Sequence, residues 1–258
     1  MINLWQILQV HDEPEMREPV LLVSISTSIP QYQLLYSQAK ELSNYLLKKL
    51  NFKLLASIYS ASMPPEVKIR EDGTVSLFSN HFYHYKNEEK DLILLAGDSS
   101  PLTEHYSFAD LILSYAQRLK VKELFSIGAR WTENPISPFE FPKVLGFSTD
   151  EEGLKRLRDS EVILLRDEPA QYFSNLIVGM APLYGIRGYK LSVNHGEPRP
   201  HPKSSIALLK VLQRLIDLKV DLSELENYAN QFNAEIKNLL GSIGLELIPE
   251  DKSKDIYF

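Results

Sequence analysis

Hydrophobic and polar positions switch between two periods along this chain, and the switching lays out an α/β order. Pro19-Val20-Leu21-Leu22-Val23-Ser24-Ile25-Ser26 is a near-continuous apolar run that starts at a proline. A strand covered on both faces reads this way. Tyr32, Leu35, Tyr36, Ala39, Leu42, Leu46 and Leu50 follow at steps of three and four, which predicts an amphipathic helix. Phe52 to Tyr59 returns to a strand pattern. The three segments make a βαβ unit, with a right-handed crossover expected.

The middle of the chain has a shorter period. Val67 to Arg70 and Thr74 to Phe78 alternate around Glu71-Asp72-Gly73, which predicts a hairpin with an Asp-Gly turn. His81 to Tyr85 extends this β excursion. Regular order then resumes, with a strand over Asp91 to Ala96, a helix over Glu104 to Leu119 and a strand over Glu123 to Gly128. Trp131 to Pro142 holds three prolines and reads as a loop. Short strands are expected at Val144 to Ser148 and Val162 to Leu165, with a helix over Asp150 to Arg158 between them. A helix over Ser174 to Tyr184 and a last strand over Tyr189 to Val193 follow.

Two helices close the pattern. Pro202 suits the first turn of one that runs to about Asp217. Asp221 and Glu224 have capping-box spacing ahead of a stripe formed by Leu225, Ala229, Phe232, Ile236 and Leu240. The expected fold is α/β: a three-layer sandwich with a mostly parallel central sheet, an inserted β-hairpin and two C-terminal helices. After Leu240 the pattern stops at Gly241 and Gly244, and Pro249 to Asp255 is polar and charged. The expected organisation is one domain over 1–240 and a flexible tail over 241–258.

Composition narrows the function. A length of 258 residues suits one large α/β domain. The formal net charge of −6 argues against nucleic-acid binding through a general basic surface. The chain has no cysteine, which excludes disulfides, thiolate metal sites and a Cys nucleophile and fits a reducing compartment. Met1 to Val10 is mildly apolar but is followed by His11, Asp12, Glu13 and Glu15, without the marks of a signal peptide. No run reaches the ~18–20 apolar residues of a membrane span. A cytoplasmic protein that neither crosses nor binds membrane is expected.

An enzyme reading needs a polar constellation. Its best candidates are Asp98 and Glu104, which follow a strand, and His195 with Glu197 after the last strand, because sites in open α/β sheets gather at strand C-terminal ends. His195 would serve as a base and Glu197 as its orienter or acid. Helix capping and loop hydrogen bonding explain the same residues more simply. His81 and His84 are three apart, which on a strand puts them on opposite faces. No HExxH or comparable metal cluster is present, and Gly185 and Gly188 do not form GxGxxG. No metal or cofactor is expected. Ser26, Thr27 and Ser28 read most simply as a helix N-cap. Phe82, Tyr83, Tyr85, Trp131, Phe139 and Phe141 belong either to the core or to a self-association surface.

Several segments share an order with a known family. Ser62-Met63-Pro64-Pro65 leads into the hairpin with its Asp72-Gly73 turn, and Asp91 to Gly97 leads into Asp98-Ser99-Ser100-Pro101. Gly185-Ile186-Arg187-Gly188, Gly196-Glu197-Pro198 and Pro200-His201-Pro202 then precede an Ala/Leu-rich helix. From about Pro19 to Phe232 this order resembles the proteasome assembly chaperone family, in particular archaeal and bacterial homologues of the second assembly chaperone. Two departures stand out. The loop after the first strand, Ser26-Thr27-Ser28-Ile29-Pro30, lacks the family's glycines, and Glu168-Pro169-Ala170-Gln171 stands where a glycine precedes the Ser174 helix.

The resemblance implies a fold similar to nucleoside phosphorylases and a protein that binds proteasome core-particle α-subunits and self-associates as a homo-oligomer, not an established catalyst. Ile256-Tyr257-Phe258 fits the hydrophobic-Tyr-any pattern of proteasome-docking tails. Its chemistry suits a pocket: a carboxylate for a lysine, a ring with one hydroxyl and an aliphatic residue. Folding back onto the domain as a final strand is the competing expectation for this tripeptide. The alternative function is a phosphorylase- or hydrolase-like enzyme acting on a nucleoside or another small metabolite.

Overall fold

Val20–Ile25 is buried along its whole length, and the fold is built outward from it. The computed structural model describes residues 5–25, 37–131, 140–167, 169–195 and 201–242. Among these the strands are β1 Gln6–Val10, β2 Val20–Ile25, β3 Lys53–Ser60, β4 Val67–Ile69, β5 Val75–Leu77, β6 Asn80–Tyr85, β7 Leu92–Gly97, β8 Glu123–Trp131, β9 Val144–Ser148, β10 Ile163–Leu164 and β11 Arg187–His195. The helices are α1 Gln38–Lys49, α2 His105–Arg118, α3 Glu151–Asp159, α4 Phe173–Met180, α5 Pro202–Ile216 and α6 Ser223–Ser242.

One nine-stranded sheet runs in the order β1-β3-β6-β7-β2-β8-β11-β9-β10, and β4-β5 forms a separate ribbon. Its centre, β7-β2-β8-β11, is parallel. Antiparallel pairings of β1, β3 and β6 extend one side, and β9 adds antiparallel to β11 on the other. The βαβ crossover skips two strands, since β6 and β7 lie between β2 and β3. β7 is buried along nearly its whole length and takes the place beside β2, whereas β3 begins with two exposed residues and sits nearer the edge. The edge strand β1 is mostly exposed, and its pattern carried no alternation to reveal it.

Alternating side chains of the central strands feed two cores. Leu22, Phe125, Tyr189 and Leu191 pack with Leu42, Leu46, Leu157, Leu212 and Leu225 from α1, α3, α5 and α6. Leu21, Val23, Leu95 and Leu124 pack with Phe108, Ile112, Phe173 and Ile177 from α2 and α4 on the other face. Each buried aliphatic or aromatic side chain contributes about 1.5–3 kcal/mol relative to exposure. The layers are helix, sheet, helix, as the chain's pattern predicts.

Local chemistry sets the helix ends. The Ser37 hydroxyl accepts the Lys40 N–H to cap α1, and Asp150 accepts the Gly153 N–H to cap α3. α1 and α5 start side by side, tied by hydrogen bonds among Gln38, Glu41 and Ser205. Burial raises the Glu41 carboxyl, and hydrogen bonds from Ser205 and Gln38 oppose that. The expected Asp221–Glu224 capping box is replaced by another arrangement. Asp221 accepts from Ser223, while Glu224 reaches across to Lys48 and Lys49 of α1. α6 runs on through Gly241 to Ser242, past the stop expected after Leu240.

Candidate functional site

The ribbon β4-β5 has its amphipathic sense reversed. Its turn is set by Gly73 at φ +80° and by Asp72, whose carboxylate accepts the Thr74 N–H at 2.9 Å and hydroxyl at 2.7 Å. Those hydrogen bonds hold the Asp72 carboxyl below its ordinary value. The register pairs Val67 with Leu77 and Ile69 with Val75, so all four project from one face. That face is in solvent: Val67 is 51% exposed, Ile69 74%, Val75 62% and Leu77 53%. The polar face meets the body instead. Lys68 forms an ion pair with Asp98 and lies over the Phe78 ring at 5.9 Å.

A two-stranded ribbon is marginal alone, and four exposed aliphatics on it add nothing to folding. The surface around its root is also apolar. Ala61 N–H donates to Trp5 O at 3.0 Å, and Leu102 N–H to Ser62 O at 2.7 Å. Gln6 Nε2 donates to Ser107 Oγ at 3.1 Å. Exposed Trp5, Leu102 and Tyr106 therefore stand close to the segment from which the ribbon springs. Exposed apolar side chains grouped on one ribbon face in this way mark an interaction site.

The root itself is densely hydrogen-bonded. Asp98 N–H donates to Ser79 O at 3.1 Å, and Ser79 N–H returns to the Asp98 carboxylate at 3.1 Å. Asn80 Nδ2 donates to Ser99 O at 2.9 Å. A relay continues across the sheet: Ser79 Oγ bonds His81 Nε2 at 3.0 Å, His81 Nδ1 bonds Ser57 Oγ at 2.9 Å, and Ser57 Oγ bonds His11 Nε2 at 2.9 Å. Burial depresses the His81 imidazole, with Asp98 opposing the shift.

Among the described residues, Asp98 and His195, proposed for catalysis, stand at the ends of different strands. Asp98 is an anchor for the ribbon. Glu104 is exposed and precedes α2 at φ 53° without a side-chain cap. His195 ends β11, and β2 and β8 stand between that strand and β7. At sheet spacing the ends of β7 and β11 are about 14 Å apart. Glu197, Ser26 to Ser28, Phe139 and the tripeptide Ile256-Tyr257-Phe258 lie outside the described residues. His81 and His84 do face opposite ways; His84 Nε2 bonds Asp91 at 3.1 Å. His201 caps α5 through Nδ1 and sets its ring edge-on to Phe232 at 4.8 Å. Phe82 lies in the core beneath α2, Tyr83 and Tyr85 pack on the opposite core, and Phe141 is exposed under Lys203 and Lys210. Among the described residues no group of three His, Asp or Glu side chains is placed to hold a metal ion, and no helix is long and apolar enough to cross a membrane.

Sequence reasoning found the hairpin but missed its direction. The shared period of Val67, Ile69, Val75 and Leu77 puts them on one face, and only tertiary structure says which way that face turns. Comparison with known proteins bears on the same region. The family model described as the PAC2 family matches residues 39–240, from α1 through α6 and across the ribbon. The chain belongs to the PAC2 family. An uncharacterized protein of Methanocaldococcus jannaschii is 23% identical over 201 residues, 76% of each chain. PbaB of Pyrococcus furiosus, an archaeal proteasome activator, shares the fold with a TM-score of 0.77 at 22% identity, covering 91% of this chain and 98% of that one. PbaA of the same organism, an archaeal homolog of proteasome-assembly chaperone, gives 0.70 at 20% identity over 93% of each. A proteasome-assembly chaperone homologue of Mycobacterium tuberculosis gives 0.70 at 18%, over 90% and 96%. The resemblance first seen in segment order is thus met by a PAC2 domain with the fold of these proteins.

Proposed function

We propose that this PAC2 protein is a chaperone-like, cytoplasmic partner of the proteasome that self-associates through the apolar face of β4-β5 and docks on core-particle α-subunits through Ile256-Tyr257-Phe258. The outward face of Val67, Ile69, Val75 and Leu77 on a PAC2 domain carries the reading. Uncharged and apolar, that face suits a second copy of itself: two such ribbons stack about 10 Å apart and cover each other's aliphatics. Self-association then gives the tail its strength. One tripeptide binds weakly, but several on one assembly gain about 10²–10⁴ through effective concentration.

Three proteins test this: the intact chain, a chain lacking 256–258, and Ile69→Lys/Val75→Lys. Sedimentation should show an oligomer for the first two and a monomer for the third. Co-purification with α-rings should be strong only for the intact chain. Equal capture of the intact and shortened chains removes the tail, capture of neither removes the partner, and an unchanged oligomer in the double variant removes the ribbon. The enzyme alternative needs Asp98 and His195 in one pocket, and the separation of their strands speaks against it.

A further inference from the structure

Lys190 lies in the middle of β11, between two core residues, with its side chain on the opposite face from theirs. It is 4% exposed, and among the described residues its Nζ has no hydrogen-bond partner. Its surroundings are small and uncharged. Across the β8–β11 register, Ser126 is beside Lys190 and Gly128 beside Ser192. A Cβ on Gly128 would come within 2.7 Å of Lys190 Nζ and 3.9 Å of Ser174 Oγ, so amine, glycine and hydroxyl converge on one point. Ser126 Oγ donates to Ser174 O at 2.7 Å. β9 contributes Phe147 as the other strand neighbour of Lys190.

Ser174 belongs to the first turn of α4. The N-cap, Tyr172, gives that turn no side-chain hydrogen bond. The first intrahelical bonds run from Asn175 and Leu176 to Tyr172 O, so the N–H groups of Phe173 and Ser174 precede them. The positive end of a helix dipole favours an anion and disfavours an ammonium. Lys190 is therefore a cation-forming group placed where a cation is unwelcome, with the Ser174 hydroxyl beside it to serve an anion.

We propose that Lys190 is a carbon dioxide acceptor, its amine forming a carbamate held by the Ser174 hydroxyl at the first turn of α4. The Nζ lone pair attacks the carbon of carbon dioxide, one C–O π pair moves onto oxygen, and an N–H proton leaves to solvent. The products are an N-carboxylate of charge −1 and one proton; nothing is oxidised or reduced. The reaction needs a neutral amine. Burial alone brings this one down to about 7, and among the described residues no charged side chain faces it from β8, β9, α4 or its own strand. Carbon dioxide is small, linear and uncharged, so an enclosed amine is open to it.

The intact protein and Lys190→Met are equilibrated with ¹³C-bicarbonate at pH 8 and compared by ¹³C NMR. The expected result is a carbamate carbon in the intact protein that is absent from the variant, disappears at pH 5.5 and returns on neutralisation. Any α-amino carbamate is common to both proteins and cancels in the difference. Coincident spectra overturn the proposal. Should Lys190→Met fail to fold, the intact protein is treated with trialkyloxonium to trap carbamates and its peptides are weighed. An adduct on Lys190 supports the assignment, and adducts confined to the α-amine overturn it.

Discussion

The ammonium of Lys68 is paired with the carboxylate of Asp98, which ties the projecting ribbon to the end of a central strand. The two partners should respond differently to removal. Lys68 is half in water, so Lys68→Met is expected to cost under about 1 kcal/mol in urea unfolding while speeding amide exchange in β4-β5. Asp98 also receives the Ser79 N–H, and Asp98→Ala should cost about 1–3 kcal/mol because a partly buried donor loses its acceptor.

Gly97 permits the close approach of β6 and β7 at that root. A Cβ there would meet Asn80 Oδ1 and lie 2.5 Å from Asn80 Cα, and backbone cannot yield as a flexible side chain does. Gly97→Ala is expected to lower stability by about 1–3 kcal/mol. Differential scanning calorimetry would show it, with the Asn80–Ser99 hydrogen bond lost in the amide spectrum.

On the opposite core, Arg156 bonds Glu123, the Tyr189 hydroxyl at 2.7 Å and Leu215 O at 2.8 Å. Glu123 also pairs with Lys90 at 3.3 Å. Arg156→Ala leaves a nearly buried carboxylate with that one cation, for an expected loss of about 2–4 kcal/mol. Burial, then the Glu123 charge, pushes the Tyr189 phenol up to about 12. The native state then holds its proton where the unfolded chain, near 10, has released it. Stability should fall as pH rises from about 10 to about 12, and Tyr189→Phe should flatten that decline.

Lys190 makes the converse prediction in buffers freed of carbon dioxide. Its native value of about 7 lies below the ordinary 10.5, so the unfolded chain binds the extra proton between those limits. Stability should rise with pH across that window. Lys190→Met should melt higher at pH 7 and lose the rise, which thermal melts from pH 6 to 10 would measure.

Much of this fold was legible because long apolar runs and clean helical stripes are local signals. Val20–Ile25, Leu92–Gly97 and the α5 stripe announce themselves. β1 did not, since Ile7 and Val10 are exposed on this edge strand and Leu8 alone of its aliphatics packs on the core, too little to set a period. Neighbour choice in the sheet was illegible too: β2 and β3 read as a local pair, and burial on both faces gave β7 the place beside β2. The meaning of Lys190 was hidden for a similar reason. One lysine between Tyr189 and Leu191 looks like an outward position until a helix covers it.

The ribbon joins β3 to β6, strands already paired antiparallel with Ile58 opposite Asn80. It is an overgrown reverse turn, and the sheet's register does not depend on its length. Residues of the ribbon itself, Val67 to Leu77, can be shortened or recoloured by mutation while the nine-stranded scaffold stays as it is. A lineage carrying this architecture could change its company by drift at one corner, under selection separate from that which keeps the domain folded.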